Sequence, residues 1–180
     1  MQESMLESTP AQDTAILCRP IGFVRSRFHV PEGVPVQAAG VPHENASLEV
    51  LPEYAAGLRD IAGFDHLIFL THFHLCGQEK LEVTPFLDDQ VRGVFATRAP
   101  ARPNRIGLSV VRLLSVDGCL LHFAGNDMVD GTPVLDIKPY VARFDAPAPG
   151  RIGWFEGRLD GLDTRRADGR HVGPADTKAP

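Results

Sequence analysis

A mainly β fold, a closed or nearly closed β-barrel with one or two short helices, is what this sequence predicts. Three observations carry the prediction. Seven or more short apolar or alternating runs are separated by turn residues. Asp117-Gly118 joins two of these runs as a tight hairpin does. No strand leads through Gly-x-Gly-x-x-Gly into a helix, which excludes the usual dinucleotide-binding α/β unit.

The elements follow in order. Residues 1–14 are polar and read as a disordered N-terminal segment. Ile16–Phe28 reads as a strand interrupted by Pro20, and Pro31–Asn45 as a Pro/Gly-rich loop long enough to bind a ligand. Ser47–Leu51 is a short strand. Pro52–Ile61 fits one helix, with proline at its start and Gly63 past its end. His66–Cys76 is a buried strand, followed by strands at Lys80–Phe86, Val91–Thr97, Ile106–Val116, Cys119–Ala124 and Val134–Ile137. This places one domain over residues 15–157. Residues 158–180 form a weakly structured tail, rich in Gly, Pro, Asp and Arg.

At 180 residues the chain can bury a full core without metal or disulfide. Its formal net charge of −5 argues against indiscriminate coating of nucleic acid, which rests on many phosphate contacts. The sequence shows neither a signal peptide nor an apolar run long enough to span a membrane, so a cytoplasmic location is expected. The three cysteines are scattered and form no Cys-x-x-Cys pair.

Within this acidic chain, Gln90 to Val116 carries five arginines and no acid. Its centre, GVFATRAPARPNRIGLS at Gly93–Ser109, runs a strand into a turn built on Pro100, Pro103 and Asn104. Guanidinium forks concentrated in this way suit a carboxylate or phosphate. A second stretch, DMVDGTPVLDIKPY at Asp127–Tyr140, gathers Asp127, Asp130 and Asp136 around a turn, where they could fix a cationic ligand or accept a proton. His72-x-His74 with Glu79 has the spacing of a cupin-type metal site. The rest of that pattern is missing: His66 and Phe86 stand where glycines belong, and no second half-motif follows. The residues alone indicate a barrel with a site for an anionic or zwitterionic ligand and no metal.

The two long motifs, with IGFVRSRF at Ile21–Phe28 and GLRDIAGFDHLIFLTHFH at Gly57–His74, resemble the TsaA-like (TrmO) family. The resemblance implies a β-barrel homodimer that binds S-adenosylmethionine and methylates N6 of threonylcarbamoyladenosine beside a tRNA anticodon. It also implies cofactor contacts at Pro35, Val36 and Gln37, at His74 and Leu75, at Arg98 and Leu108, and at Ala124, Gly125, Asn126 and Asp127. Arg92, Arg102, Asn104 and Arg105 would then meet the anticodon loop, and Asp130, Asp136 and His74 are the candidates for the proton acceptor. Two departures stand out: Val36 replaces the family's arginine, and Arg105 replaces a proline. A non-catalytic cofactor-binding module and a metal-dependent barrel enzyme are the alternatives.

Overall fold

A computed structural model describes residues 15–172. Residues 1–14, the expected disordered segment, and 173–180 lie outside the described residues. Six antiparallel strands close a barrel in the order β1 (Gly22–Arg25), β2 (Asn45–Val50), β7 (Leu120–Ala124), β6 (Ile106–Asp117), β3 (His66–His72) and β8 (Pro133–Pro139). β8 returns to β1 through Val134 opposite Gly22. A small ribbon, β4 (Glu82–Val83) with β5 (Arg92–Gly93), stands apart.

Side-chain alternation explains the barrel. On β3, Leu67, Phe69 and Thr71 are buried, while on β6 Gly107, Ser109 and Val111 face the same interior. The register sets Leu67 opposite Val111 and Phe69 opposite Ser109. Thr71 faces Gly107, where a Cβ would collide with its hydroxyl, so glycine is required. Phe69 and Phe123 meet edge to face at 5.2 Å in a core completed by Val24, Leu48, Leu121 and Val134. Each such side chain contributes about 1.5–3 kcal/mol by leaving water. The Asp117-Gly118 hairpin forms as expected, with Gly118 at φ 58°.

Several boundaries differ from expectation. Pro52–Ile61 is not one α-helix but a 3-10 segment, Pro52–Leu58, and a second at Ile61–Gly63, parted by Asp60 in the left-handed region. The Pro20-containing run narrows to Gly22–Arg25. Val91–Thr97 leaves the extended form at Val94–Ala96, and His66–Cys76 ends as a strand at His72. Both changes wrap the chain around a second, smaller core of Cys76, Val83, Val94, Ala99 and Ala101. A four-residue α-helix, α1 (Ala142–Asp145), follows β8.

Beyond it the chain carries no long regular element, yet through Val172 it lies on the barrel. The Gly33 N–H donates to the Ala167 carbonyl at 2.9 Å, and the Ala167 N–H donates to the Val34 carbonyl at 2.8 Å. Isolated antiparallel bridges join Pro35 to Arg166 and Cys76 to Val172. No helix among the described residues is long and apolar enough to cross a membrane.

Candidate active site

The early Pro-rich loop, the segment after β3, the Arg98 loop and the tail converge on a cavity of about 630 Å³. Its volume and its mainly apolar lining, with few polar groups, are those of a small-molecule site. Pro35, Val36, Gln37, His74, Leu75, Arg98, Leu108 and Asp127, eight of the positions that the resemblance implies as cofactor contacts, line it.

The Arg98 loop is held from beneath by Arg102. Its Nε donates to the Ala99 carbonyl at 2.8 Å, and its Nη2 to the carbonyls of Thr97 at 2.6 Å and Val94 at 3.2 Å. With Arg102 thus turned inward, Arg98 stays exposed, and its Nη1 donates to Gln37 Oε1 at 2.9 Å. Gln37 Nε2 in turn donates to the Val36 carbonyl at 2.7 Å. A single guanidinium is thereby positioned across two loops.

Asp127 is the acidic group of the cavity. Its Oδ1 accepts from Ser109 Oγ at 2.6 Å and its Oδ2 from the Ala38 N–H at 2.9 Å. Although part of the residue faces the cavity, the surrounding protein pushes its pKa up. The Ser109 hydroxyl, the Ala38 N–H and the charge of Arg98 act against that rise. His74 also lines the cavity. Burial lowers its pKa first, and His72 adds to the effect, while the hydrogen bond to the His72 backbone works the other way. A neutral imidazole so held keeps one nitrogen as an acceptor.

Other expected residues lie elsewhere. Asn126 is fully buried, holding Ser26 Oγ at 2.8 Å and the Met128 backbone. The N–H groups of Gly125 and Asn126 both donate to the Glu44 carbonyl at 2.9 Å. Ala124, Gly125 and Asn126 therefore back the loop that aims Asp127 and do not line the cavity. Asp136 is on the barrel's outer side, 2.7 Å from Lys138, in a separate hollow with Tyr54 and Ile21. It is not among the residues that line the cavity. Asp130 sits behind His74, accepting from the Ser26 N–H at 3.0 Å.

The arginines divide as well. Arg92 is bound to Asp88 at 2.8 Å, under the Trp154 ring at 5.7 Å. The Asp88 carboxylate is held at a pKa of about 2, chiefly by its hydrogen bond to Arg92. Arg92 and Arg102 thus serve the fold, tied to Asp88 and to the carbonyls of their own loop. Asn104 is exposed, with φ 61°, and half-buried Arg105 is near enough to lower the pKa of His72. Among the described residues no three of His, Cys, Asp and Glu come together as metal ligands, so His72, His74 and Glu79 form no cupin-type centre.

Sequence reasoning missed the tail and the turn before it: Trp154, Leu162 and His171 line the cavity from a stretch with no apolar periodicity to signal it. Phe86 and Ser109 also line the cavity, and the sequence marks neither as a site residue.

A family model described as the tRNA-methyltransferase O N-terminal domain matches residues 23–146. A probable S-adenosyl-L-methionine-binding protein of Pyrococcus abyssi is 48% identical over 155 residues, covering 86% of this chain and 84% of its own. The human tRNA (adenine(37)-N6)-methyltransferase is 32% identical over 187 residues, covering 89% of this chain but only 42% of the human protein. The crystal structure of TrmO from Pseudomonas aeruginosa superposes with a TM-score of 0.65 at 38% identity, over 78% of this chain and 63% of that one. The family match runs from Phe23 in β1 to beyond β8, and the chain therefore belongs to the tRNA-methyltransferase O N-terminal domain family.

Proposed function

We propose that the chain binds S-adenosylmethionine in this cavity and transfers its methyl group to a tRNA. The acceptor is N6 of threonylcarbamoyladenosine beside the anticodon, and the reaction takes place in the cytoplasm. The observation that carries the reading is the pairing of exposed Arg98, braced by Gln37, with Asp127 in one largely apolar cavity. These groups suit a zwitterion with a carboxylate and a sulfonium. Arg98 would take the carboxylate, and Asp127 would face positive charge without a full ion pair.

Bound there, S-adenosylmethionine supplies an already activated methyl group, so the protein's task is mainly alignment. The loops of Gln37 and Arg98 orient one side of the ligand, and the apolar walls exclude water. His74, neutral and held by the His72 backbone, is the candidate at the cavity wall to accept the proton that N6 loses, with Asp130 behind it. Residues 15–157 supply the barrel and loops of the cofactor site, and the tail closes one side of it. The outer faces of β3 and β6 leave Ile106, Leu108 and Val110 exposed by 45%, 47% and 37%. A second copy of the chain covering that face would form the homodimer and, through Leu108, narrow the cavity mouth.

Calorimetric titration of S-adenosylmethionine tests the site. Micromolar affinity that falls tenfold or more (~1.4 kcal/mol) in Arg98→Ala is the expected result, and no binding by the wild type overturns it. Transfer of labelled methyl to tRNA with and without the threonylcarbamoyl group then tests the reaction. Tight binding with no transfer to either would leave a cofactor-binding module.

A further inference from the structure

The segment from Arg158 to Val172 lies outside the matched region, yet it supplies one side of the cavity. The Gly33–Ala167 and Ala167–Val34 hydrogen bonds tie its middle to the early loop, and the Cys76–Val172 bridge ties its end to the segment after β3. Before Ala167 the chain folds back on itself. The Leu162 N–H donates to the Leu159 carbonyl at 3.3 Å, and Thr164 Oγ1 donates to the Gly161 carbonyl at 2.9 Å, with Gly161 at φ +75°. This fold sets half-buried Leu162 against the Ala38–Gly40 turn of the early loop. The approach is so close that a Cβ on residue 40 would overlap the Leu162 carbonyl and crowd its Cγ.

The turn that Leu162 meets carries both polar contacts of the cavity. Gln37, immediately before it, accepts from Arg98 Nη1 at 2.9 Å, and the Ala38 N–H donates to Asp127 Oδ2 at 2.9 Å. Two bonds of its own shape the turn, from the Gly40 N–H to the Gln37 carbonyl at 3.1 Å and from the Val41 N–H to the Ala38 carbonyl at 3.0 Å. A three-residue 3-10 turn has little stability by itself. The bonds to Arg98 and Asp127 are also the ones that a zwitterionic ligand draws on, since its carboxylate recruits the guanidinium and its positive charge the carboxylate. Packing by Leu162 is not shared with the ligand, so it supports the turn equally when the cavity is filled.

We propose that Leu162 is a positioning residue for S-adenosylmethionine: by packing on the Ala38–Gly40 turn it holds Arg98 and Asp127 in the arrangement that binds the charged end of the ligand. The proposal rests on the methyltransferase reading above and deepens it, adding to the site a residue outside the family match. Leu162 acts through the turn and takes no part in the chemistry. Ligand binding and docking of the tail then favour each other by the same factor.

The test compares the full chain with Leu162→Ala and with Leu162→Met, which keeps the side-chain volume. Calorimetry measures S-adenosylmethionine and 5′-methylthioadenosine, which has the same nucleoside but neither the carboxylate nor the sulfonium. Leu162→Ala is expected to weaken S-adenosylmethionine roughly tenfold, as when about one molecule in ten keeps the competent arrangement, and 5′-methylthioadenosine by less than about twofold. Leu162→Met is expected to bind both as the wild type does. On an Arg98→Ala background, Leu162→Ala is expected to cost no more than about threefold, because one of the groups it positions is gone. Hydrogen exchange of the ligand-free protein should show the Ala38 amide exchanging faster in Leu162→Ala, while those of Leu67 and Phe69 in the barrel keep their rates. Equal losses for the two ligands would make Leu162 a wall and nothing more, and would overturn the proposal. Additive losses with Arg98→Ala, or an unchanged Ala38 amide, would overturn it as well. Failure of the wild type to bind S-adenosylmethionine would instead remove the cofactor reading itself.

Discussion

Gly40→Ala probes how the tail is held. An ideal Cβ at residue 40 would lie 2.6 Å from the Leu162 carbonyl oxygen, 2.9 Å from its carbon and 3.1 Å from Leu162 Cγ. Ordinary contact begins near 3.4 Å, so one partner must retreat by about 0.8 Å. The turn carrying Gly40 is anchored, because the Ala38 N–H donates to Asp127 and the Gly40 N–H to the Gln37 carbonyl at 3.1 Å. The tail, joined to the barrel only at separated points near residues 167 and 172, yields first. A retreat of that size carried to residue 167 would stretch the 2.9 Å and 2.8 Å bonds to Gly33 and Val34 beyond hydrogen-bond range. At about 1 kcal/mol net for each, the docked tail loses ~2 kcal/mol, about thirtyfold in its opening equilibrium. Hydrogen exchange reads this directly. The amides of Gly33 and Ala167 should exchange about thirtyfold faster in Gly40→Ala, while those of Leu67 and Phe69 in the barrel stay within twofold. Unchanged exchange at Ala167 would show that the Gly40–Leu162 approach does not hold the tail. Equal acceleration in the barrel would show that the tail is not a separate unit.

Asp127→Ala removes the acceptor for Ser109 Oγ and the Ala38 N–H and should cost about 2 kcal/mol in urea unfolding, less than a fully buried pair because the cavity admits water. A loss below 0.5 kcal/mol would refute that accounting. His72, His74 and His171 are all held below the usual 6.5, with burial the largest cause in each, so the unfolded chain takes up their protons first. The stability they contribute is complete above pH 6.5 and declines as pH falls below it. The urea midpoint should therefore drop between pH 7 and pH 5.5, and a flat or rising midpoint contradicts the assignment. Val110→Glu, on the exposed face of β6, should convert the proposed homodimer to a monomer in light scattering, and a monomeric wild type would remove the basis for that interface.

The barrel was legible because it rests on local rules. Alternation along His66–His72 and Ile106–Val116 sorts side chains to two faces, and Asp117-Gly118 turns one strand onto the next without help from distant residues. The run of arginines likewise marked the segment that holds Arg98, and the Pro-rich loop the one that holds Gln37. Other features depend on which remote segments meet. Arg102 and Arg98 are four residues apart in one basic run, yet Arg102 staples the carbonyls of its own loop and Arg98 reaches across to Gln37, because the packing of Val94, Ala99 and Ala101 chooses between them. Asp136 and Asp127 look equivalent in sequence, but strand pairing sends Asp136 to the outer wall opposite Leu70. The Asp60 break in Pro52–Ile61 follows from the tertiary path, not from helix propensity. The tail was unreadable for the same reason. Its contacts with Val34, Gly40 and Phe86 span more than eighty residues of chain, and no periodic pattern is needed to hold a segment tied by a few backbone bonds and close glycine contacts.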